Sequence, residues 1–332
     1  MMNRRTALAA LGSTGLGLWA MKLPTSGADV SRTDPLSAAL STINDRLRDR
    51  LLRLLKQPGF SGRIPADEVK AVCDSEQKPV NAVMLALLPL AKTFSRAPIS
   101  NYQVGTVVRG RSGDLFLGAN IEFPGHSLGF SVHGEQSALS NAYMHGDTGI
   151  LAIAVTAAPC GHCRQFMNEL APDGNLEVLV EGQPSLKLSA LLPSAFGPKD
   201  LGVTELAFPV KQADLALSQE APDELTIAAL DAARKSYASY THAHSGVAIR
   251  TRDGRFFKGS YIENAAYNPS LPPLQTALAA LIVAGAKYSE ISEVVLVETE
   301  GAPISQKSVA IAVLGTTSPQ AKLRVVTAQI RT

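Results

Sequence analysis

At 332 residues the chain is long enough for about two domains of ordinary size, and with 45% hydrophobic and 18% charged residues it can bury cores and is not disordered as a whole. Its 31 basic and 29 acidic residues leave a net charge of +2 with no basic block, which gives no footprint for nucleic acid; no apolar run reaches the ~18 residues of a membrane-spanning helix. Three cysteines, an odd and small number, speak against a disulfide framework.

Residues 1–28, MMNRRTALAALGSTGLGLWAMKLPTSGA, read as an export leader: Arg4 and Arg5, an apolar stretch to Ala20, then small residues at Ser26 and Ala28. The paired arginines favour a twin-arginine route and a periplasmic location; the alternatives are a disordered leader or a true start at Met21, with a cytoplasmic protein. Residues 29–90 are predicted helical, because LSAALSTINDRLRDRLLRLLKQ places leucines at i, i+3, i+4 and i+7 on one face and mixes Arg and Asp on the other. Cys73, in AVCDSEQ, reads as a bystander thiol of that region.

From Gly105 the sequence reads GTVVRGRSGDLFLGANIEF, and from Gly246, without a gap, GVAIRTRDGRFFKGSYIEN. Arg109, Gly113, Phe116, Gly118 and Glu122 fall on Arg250, Gly254, Phe257, Gly259 and Glu263 at a constant offset of 141. Each copy is a predicted β-hairpin that turns at Ser-Gly or Asp-Gly. Helical patterns follow, HGEQSALSNAYMHG in the first copy and PPLQTALAALIVAG in the second. Aligning Gln136 with Gln275 sets His133 against Pro272 and Glu135 against Leu274, and the second copy has no cysteine. It cannot repeat whatever chemistry the first performs. The runs ILAIAVTAA and SEVVLVET then read as strands. This alternation predicts tandem α/β/α sandwiches, each a mixed sheet with helices on both faces. Residues 91–192 form the first domain, 193–220 (with PSAFGPKDLGVTELAFPVKQ) a connector, and 221–332 the second, degenerate domain.

The stretch TAAPCGHCRQF holds the remaining two cysteines. A C-x-x-C pair can be a redox couple, half of a structural zinc site or part of a catalytic one. The count excludes a four-thiolate site, whereas His133, Cys160 and Cys163 suffice for three ligands with a fourth position open. Pro159 precedes a helical pattern, so the thiols stand at a helix start, where free N–H groups and the dipole favour thiolates. His133 opens the other helix. Glu135, two residues on, diverges from His133 and can approach a metal-held water without ligating. Two thiolates cancel the charge of a zinc ion, so the centre acidifies water less than an all-imidazole site would. A proton-accepting carboxylate is then needed more, and Glu135 is the candidate. Arg164 either donates to a sulfur or is a surface helix residue. His162 is expected to point away from the metal, and His126, His145, His242 and His244 read as surface or loop residues. A metal-free redox pair and a catalytically dead scaffold are the competing classes; the first leaves His133, Glu135 and the repeat unexplained.

H-x-E followed by P-C-x-x-C is the signature of zinc deaminases of nucleobases. The chain resembles the two-domain, homodimeric class of cytidine deaminases through ALLPLAKTFSRAPISNYQVG, GANIEF, HGEQSALSNA, TAAPCGHCRQFMNEL, LPSAFGPKDL and DGRFFKGSYIENAAYNPSLPPLQTAL, over most of the chain from about Asp34. The resemblance implies that His133, Cys160 and Cys163 bind one zinc per chain, and that Glu135 moves protons between the metal-held water, ring N3 and the leaving amine. It further implies that Asn120 and Glu122 bond the ribose, that Tyr102 packs on the nucleoside, that Gly134 is among the substrate-binding residues, and that Tyr267 enters the partner subunit's site in a homodimer. The implied reaction is hydrolysis of cytidine and 2'-deoxycytidine to uridine and 2'-deoxyuridine with release of ammonia, by attack of zinc-held hydroxide on C4, in pyrimidine salvage; a modified cytosine nucleoside is the alternative substrate. A carboxylate at Glu122 would repel phosphate and favour nucleosides over nucleotides. Gly134 stands where this family usually has Ala, and Tyr102 and Tyr267 where Phe is typical.

Overall fold

Prolines cut the helical stretch ahead of the first hairpin into short pieces. The computed structural model describes residues 35–331 apart from 44, 219 and 220, so the expected leader lies outside the described residues. Helices α1 (Pro35–Ser41), α2 (Asp45–Leu55), α3 (Ala66–Glu76), α4 (Val80–Ala86) and α5 (Leu88–Lys92) follow one another, with strand β1 (Arg63–Ile64) between α2 and α3. Pro65 and Pro79 cap α3 and α4, and Pro89 stands in the first turn of α5, positions where a missing N–H breaks no helical bond. The predicted leucine stripe is buried at Leu40, Leu47, Leu51 and Leu54. Cys73 is half-buried in α3, and burial pushes its thiol up.

The first copy runs β2 (Gly105–Gly110), β3 (Leu115–Ala119), α6 (Gly134–Met144), β4 (Ile150–Val155), α7 (Gly161–Leu170), β5 (Glu177–Val180), β6 (Leu186–Lys187) and α8 (Leu188–Leu191). Its sheet has the order β1-β3-β2-β4-β5-β6 and is antiparallel except for the pair β4–β5. The second runs β7 (Leu215–Leu217), α9 (Glu224–Arg234), β8 (Ser245–Thr251), β9 (Phe256–Ser260), α10 (Pro273–Val283), β10 (Ile291–Thr299), α11 (Lys307–Thr317) and β11 (Lys322–Ile330). Its order is β7-β11-β10-β8-β9, with only β10–β11 parallel. Strand β1 lies in the stretch expected to be helical, and β7 in the stretch read as connector, yet each supplies the edge of a sheet.

The repeat is a repeat of structure. Thr106 pairs with Gly118 and Val155, and 141 residues later Val247 pairs with Gly259 and Leu296. Helices α6 and α10 superpose in sequence at the Gln136–Gln275 alignment. One glycine lets each hairpin lie directly on its helix: a Cβ on Gly118 would stand 2.2 Å from the Ala138 nitrogen, and one on Gly259 2.2 Å from the Pro273 oxygen. Helix α6 is buried from Gly134 to Tyr143, because it packs on β2 and β3 and against α10. The hydrophobic core is therefore continuous from Leu40 through Phe116 and Leu139 to Leu278 and Leu296. Among the described residues no helix is long and apolar enough to cross a membrane.

Candidate metal centre

His133 is the residue before α6 and Cys160 the residue before α7, both with extended backbone, so two helix starts face each other. His133 Nδ1 lies 3.2 Å from Cys163 Sγ and 3.5 Å from Cys160 Sγ, and the two sulfurs are 3.7 Å apart. A tetrahedral zinc with bonds of about 2.3 Å to sulfur and 2.0 Å to nitrogen sets its ligands roughly 3.5–3.8 Å apart. The three donor atoms thus mark one face of such a tetrahedron with the fourth corner open. Among the described residues they are the one group of three such ligand side chains.

The electrostatics suit a cation. The two sulfurs hydrogen-bond one another, and this bond, with that to His133, holds Cys160 at about 3. The same bond, with burial, pushes Cys163 up. A dication between them would replace the shared proton and take both sulfurs as thiolates. The bond to Cys160 raises His133 against the opposing effect of burial. Glu135, in the first turn of α6, is 5% exposed, and burial pushes its carboxyl up. A buried carboxyl beside the ligand group is placed to take and return protons.

His133, Gly134, Glu135 and Cys160 line a cavity of about 440 Å3, whose walls also include Tyr102, Asn120 and Glu122. Asn120 Oδ1 accepts from Ser95 Oγ (2.6 Å) and the Val104 nitrogen (2.9 Å), and its Nδ2 donates to the Tyr102 carbonyl (2.8 Å). One amide hydrogen remains beyond these three bonds. Glu122 accepts from the nitrogens of Ile99 (2.8 Å) and Ser100 (3.0 Å) and from Ser100 Oγ (2.5 Å). Burial raises its carboxyl, but these donors outweigh burial and hold it below the usual range. Tyr102 and Leu128 stand exposed at the mouth.

Tyr267 is not on this wall. It is 62% exposed, has φ +62°, and its ring packs 6.5 Å from that of Tyr240. Arg164 does not touch a sulfur: Nε and Nη1 donate to the carbonyls of Pro159 and Leu191, each at 2.8 Å, so it pins the cysteine-bearing turn. His162 lies outside the ligand group, its ring tilted 5.5 Å from that of His133. Three histidines read as surface or loop residues have partners: His126 bonds Thr316, His145 bonds Ser61 and the Asn141 carbonyl, and His244 bonds Ser236.

The sequence did not reveal that Glu122 clasps a loop. Glu263 makes the same clasp, accepting from the nitrogens of Tyr240 and Thr241 and from Thr241 Oγ1. The match of Glu122 to Glu263 in the repeat was the signal, since a residue retained in a copy without ligands has a structural task. Gly134 also has a local cause. A Cβ there would lie 2.7 Å from Thr106 Oγ1 and 3.0 Å from Val104 Cγ1, so the threonine side chain occupies the space an alanine would need.

Two family models described as "Cytidine and deoxycytidylate deaminase zinc-binding region" match residues 78–175 and 188–311. A cytidine deaminase of Shewanella baltica (strain OS155) is 41% identical over 82% of this chain and 91% of its own length. One of Pectobacterium atrosepticum is 43% identical over 80% and 90%. A crystal structure of cytidine deaminase from Burkholderia pseudomallei is 32% identical, with a TM-score of 0.32, over 35% of this chain and 98% of that one. With two zinc-binding deaminase regions in tandem α/β/α domains and, among the described residues, one His-Cys-Cys group, the chain is a zinc-dependent hydrolase of C–N bonds by class. The chain belongs to the cytidine and deoxycytidylate deaminase family.

Proposed function

We propose that this chain hydrolyses cytidine and 2'-deoxycytidine to uridine and 2'-deoxyuridine with release of ammonia, in pyrimidine salvage, with residues 91–192 as the catalytic domain and 221–332 as its non-catalytic copy. The observation that carries the reading is a buried carboxyl, Glu135, on the wall of one cavity with two members of a His-Cys-Cys group. His133, Cys160 and Cys163 would hold the zinc. Zinc supplies a Lewis acid that lowers the pKa of a water at its open position.

Glu135 takes a proton from the attacking water as its oxygen bonds to C4, and delivers it to ring N3. It then carries the second proton from the new hydroxyl to the exocyclic amine. The C4–N bond breaks, ammonia leaves, and C4 becomes a carbonyl; one water is consumed and N3 keeps its proton. Burial pushes the Glu135 carboxyl up, which strengthens it as the acceptor of each proton that it then passes to N3 and to the amine. Gly134 supports the base plane from below, Tyr102 covers it, and Asn120 and Glu122 hydrogen-bond the ribose from the facing wall. Glu122 is held ionised by its donors and repels a 5'-phosphate, so nucleosides are preferred to nucleotides. Tyr267 does not line its own chain's cavity, and in a homodimer it closes the partner's.

The test is turnover by the zinc-loaded chain, followed as loss of cytidine absorbance and as ammonia. Equal rates on cytidine and 2'-deoxycytidine, loss on chelation, and return with zinc support the reading. Turnover of the 5'-monophosphate at the same rate refutes the role given to Glu122, and ammonia release by metal-free protein refutes the whole.

A further inference from the structure

The second copy has no ligands, yet its loop of residues 264–270, between β9 and α10, is gripped by both helices that begin at the metal group. From α6, Gln136 Nε2 donates to the Pro269 carbonyl (3.1 Å). From α7, the Gln165 carbonyl accepts from Asn264 Nδ2 (3.1 Å), and Glu169 Oε2 accepts from the Ala265 nitrogen (2.8 Å). The other oxygen of Glu169 accepts from the hydroxyls of Tyr237 (2.9 Å) and Tyr240 (2.5 Å).

Glu169 is 1% exposed, and a buried carboxylate needs donors to offset its lost hydration. All three of these donors belong to the second copy. Tyr240, so fixed, packs edge-on against Tyr267. Within the loop the Tyr267 nitrogen donates to the Asn264 carbonyl (2.8 Å), and the Ser270 nitrogen to the Tyr267 carbonyl (2.9 Å). Tyr267 itself sits in the left-handed region, which a bulky residue adopts only where its surroundings over-determine it.

We infer that Glu169 is a positioning residue for substrate binding: by anchoring Ala265 and Tyr240 it fixes the Tyr267 ring in the posture it presents at the surface. The inference rests on the reading that Tyr267 closes a partner subunit's cavity. A glutamine at position 169 keeps the shape but removes the charge: with its amide toward Ala265 that N–H loses its acceptor, and with its amide toward the tyrosines both hydroxyls must turn to accept, so the charge-assisted anchoring bonds give way to weaker neutral ones.

The experiment is a double-mutant cycle on the full-length, zinc-loaded chain, reading kcat, KM and zinc per chain for Glu169→Gln, Tyr267→Ala and the pair. Each single variant is expected to raise KM about tenfold, equivalent to ~1.4 kcal/mol of lost aromatic contact. Zinc content and kcat stay within twofold, and the pair is no worse than Tyr267→Ala alone. If Glu169→Gln loses zinc or folds poorly, Tyr240→Phe removes one hydroxyl and reports the same KM rise at smaller amplitude. An unchanged KM in Glu169→Gln and Tyr240→Phe, or effects that multiply in the pair, overturns the inference while leaving Tyr267 in the site. An unchanged KM in Tyr267→Ala overturns the reading on which both depend.

Discussion

Replacing Gly134 by alanine tests how tightly the site is built. The added methyl would meet Thr106 Oγ1 at 2.7 Å and Val104 Cγ1 at 3.0 Å. Thr106 is fully buried in β2 and Gly134 is fixed in the first turn of α6, so neither can retreat. Overpacking of this kind costs about 1–3 kcal/mol. The hydroxyl of Thr106 is itself buried without a hydrogen-bond partner. Removing it in Thr106→Ala regains about 1–3 kcal/mol of unmet polar burial, and the loss of a methyl group costs ~1 kcal/mol. Thr106→Ala is therefore neutral to about 2 kcal/mol stabilised, Gly134→Ala is destabilised by about 2 kcal/mol, and Thr106→Ala/Gly134→Ala returns to near Thr106→Ala, a coupling of about 2 kcal/mol. Urea unfolding at fixed protein and zinc concentration measures all four corners, since both ligands and assembly shift apparent stability. Additive effects, or a Gly134→Ala variant as stable as the parent, would show that the wall yields where the geometry says it cannot.

Glu135→Ala should keep its zinc and its fold and lose roughly 10²–10⁴-fold in kcat, the span of an acid–base group, as steady-state rates with metal analysis would show. Glu122→Gln should be less stable than the parent at pH 7. The folded pKa of Glu122 is depressed, so its stabilisation is present above the ordinary carboxylate range near 4.3 and is lost as pH falls through the lower folded value. Denaturant midpoints of the two proteins should therefore converge in acid, and a constant gap down to pH 2 would contradict the clasp. Gln275→Leu should be neutral or stabilising by about 1–2 kcal/mol, because neither amide atom has a partner in its buried position. The equivalent Gln136 accepts from the His133 nitrogen, and Pro272 has no N–H to offer in its place. A clear loss of stability on the same measurement would show that the amide is bonded after all.

Much of the architecture was written in one-dimensional spacing. The hairpins have equal length, so the offset of 141 survives into strand register, and the offset between Gln136 and Gln275 fixes where α10 begins. The ligand group was legible because cysteine is scarce and because a proline and a histidine mark two helix starts. What escaped are bonds between segments far apart in the chain. Nothing in the period of FMNEL says that Glu169 faces Tyr237, Tyr240 and Ala265, or in GHCRQ that Arg164 turns from sulfur to two carbonyls. Strand β1 was missed because two residues leave no pattern; it exists by pairing Arg63 with Phe116 and Ile64 with Leu115.

Helix α6 has no face turned to water. Its inner side lies on β2 and β3, and its far side meets α10. A chain cut after the first sheet would strip that far side bare and strand the carboxylate of Glu169 with no donor. The half that has no ligands is thus held to its shape by the half that has them: it is free to discard chemistry, as Pro272 and Leu274 show, but not the surface on which its neighbour folds.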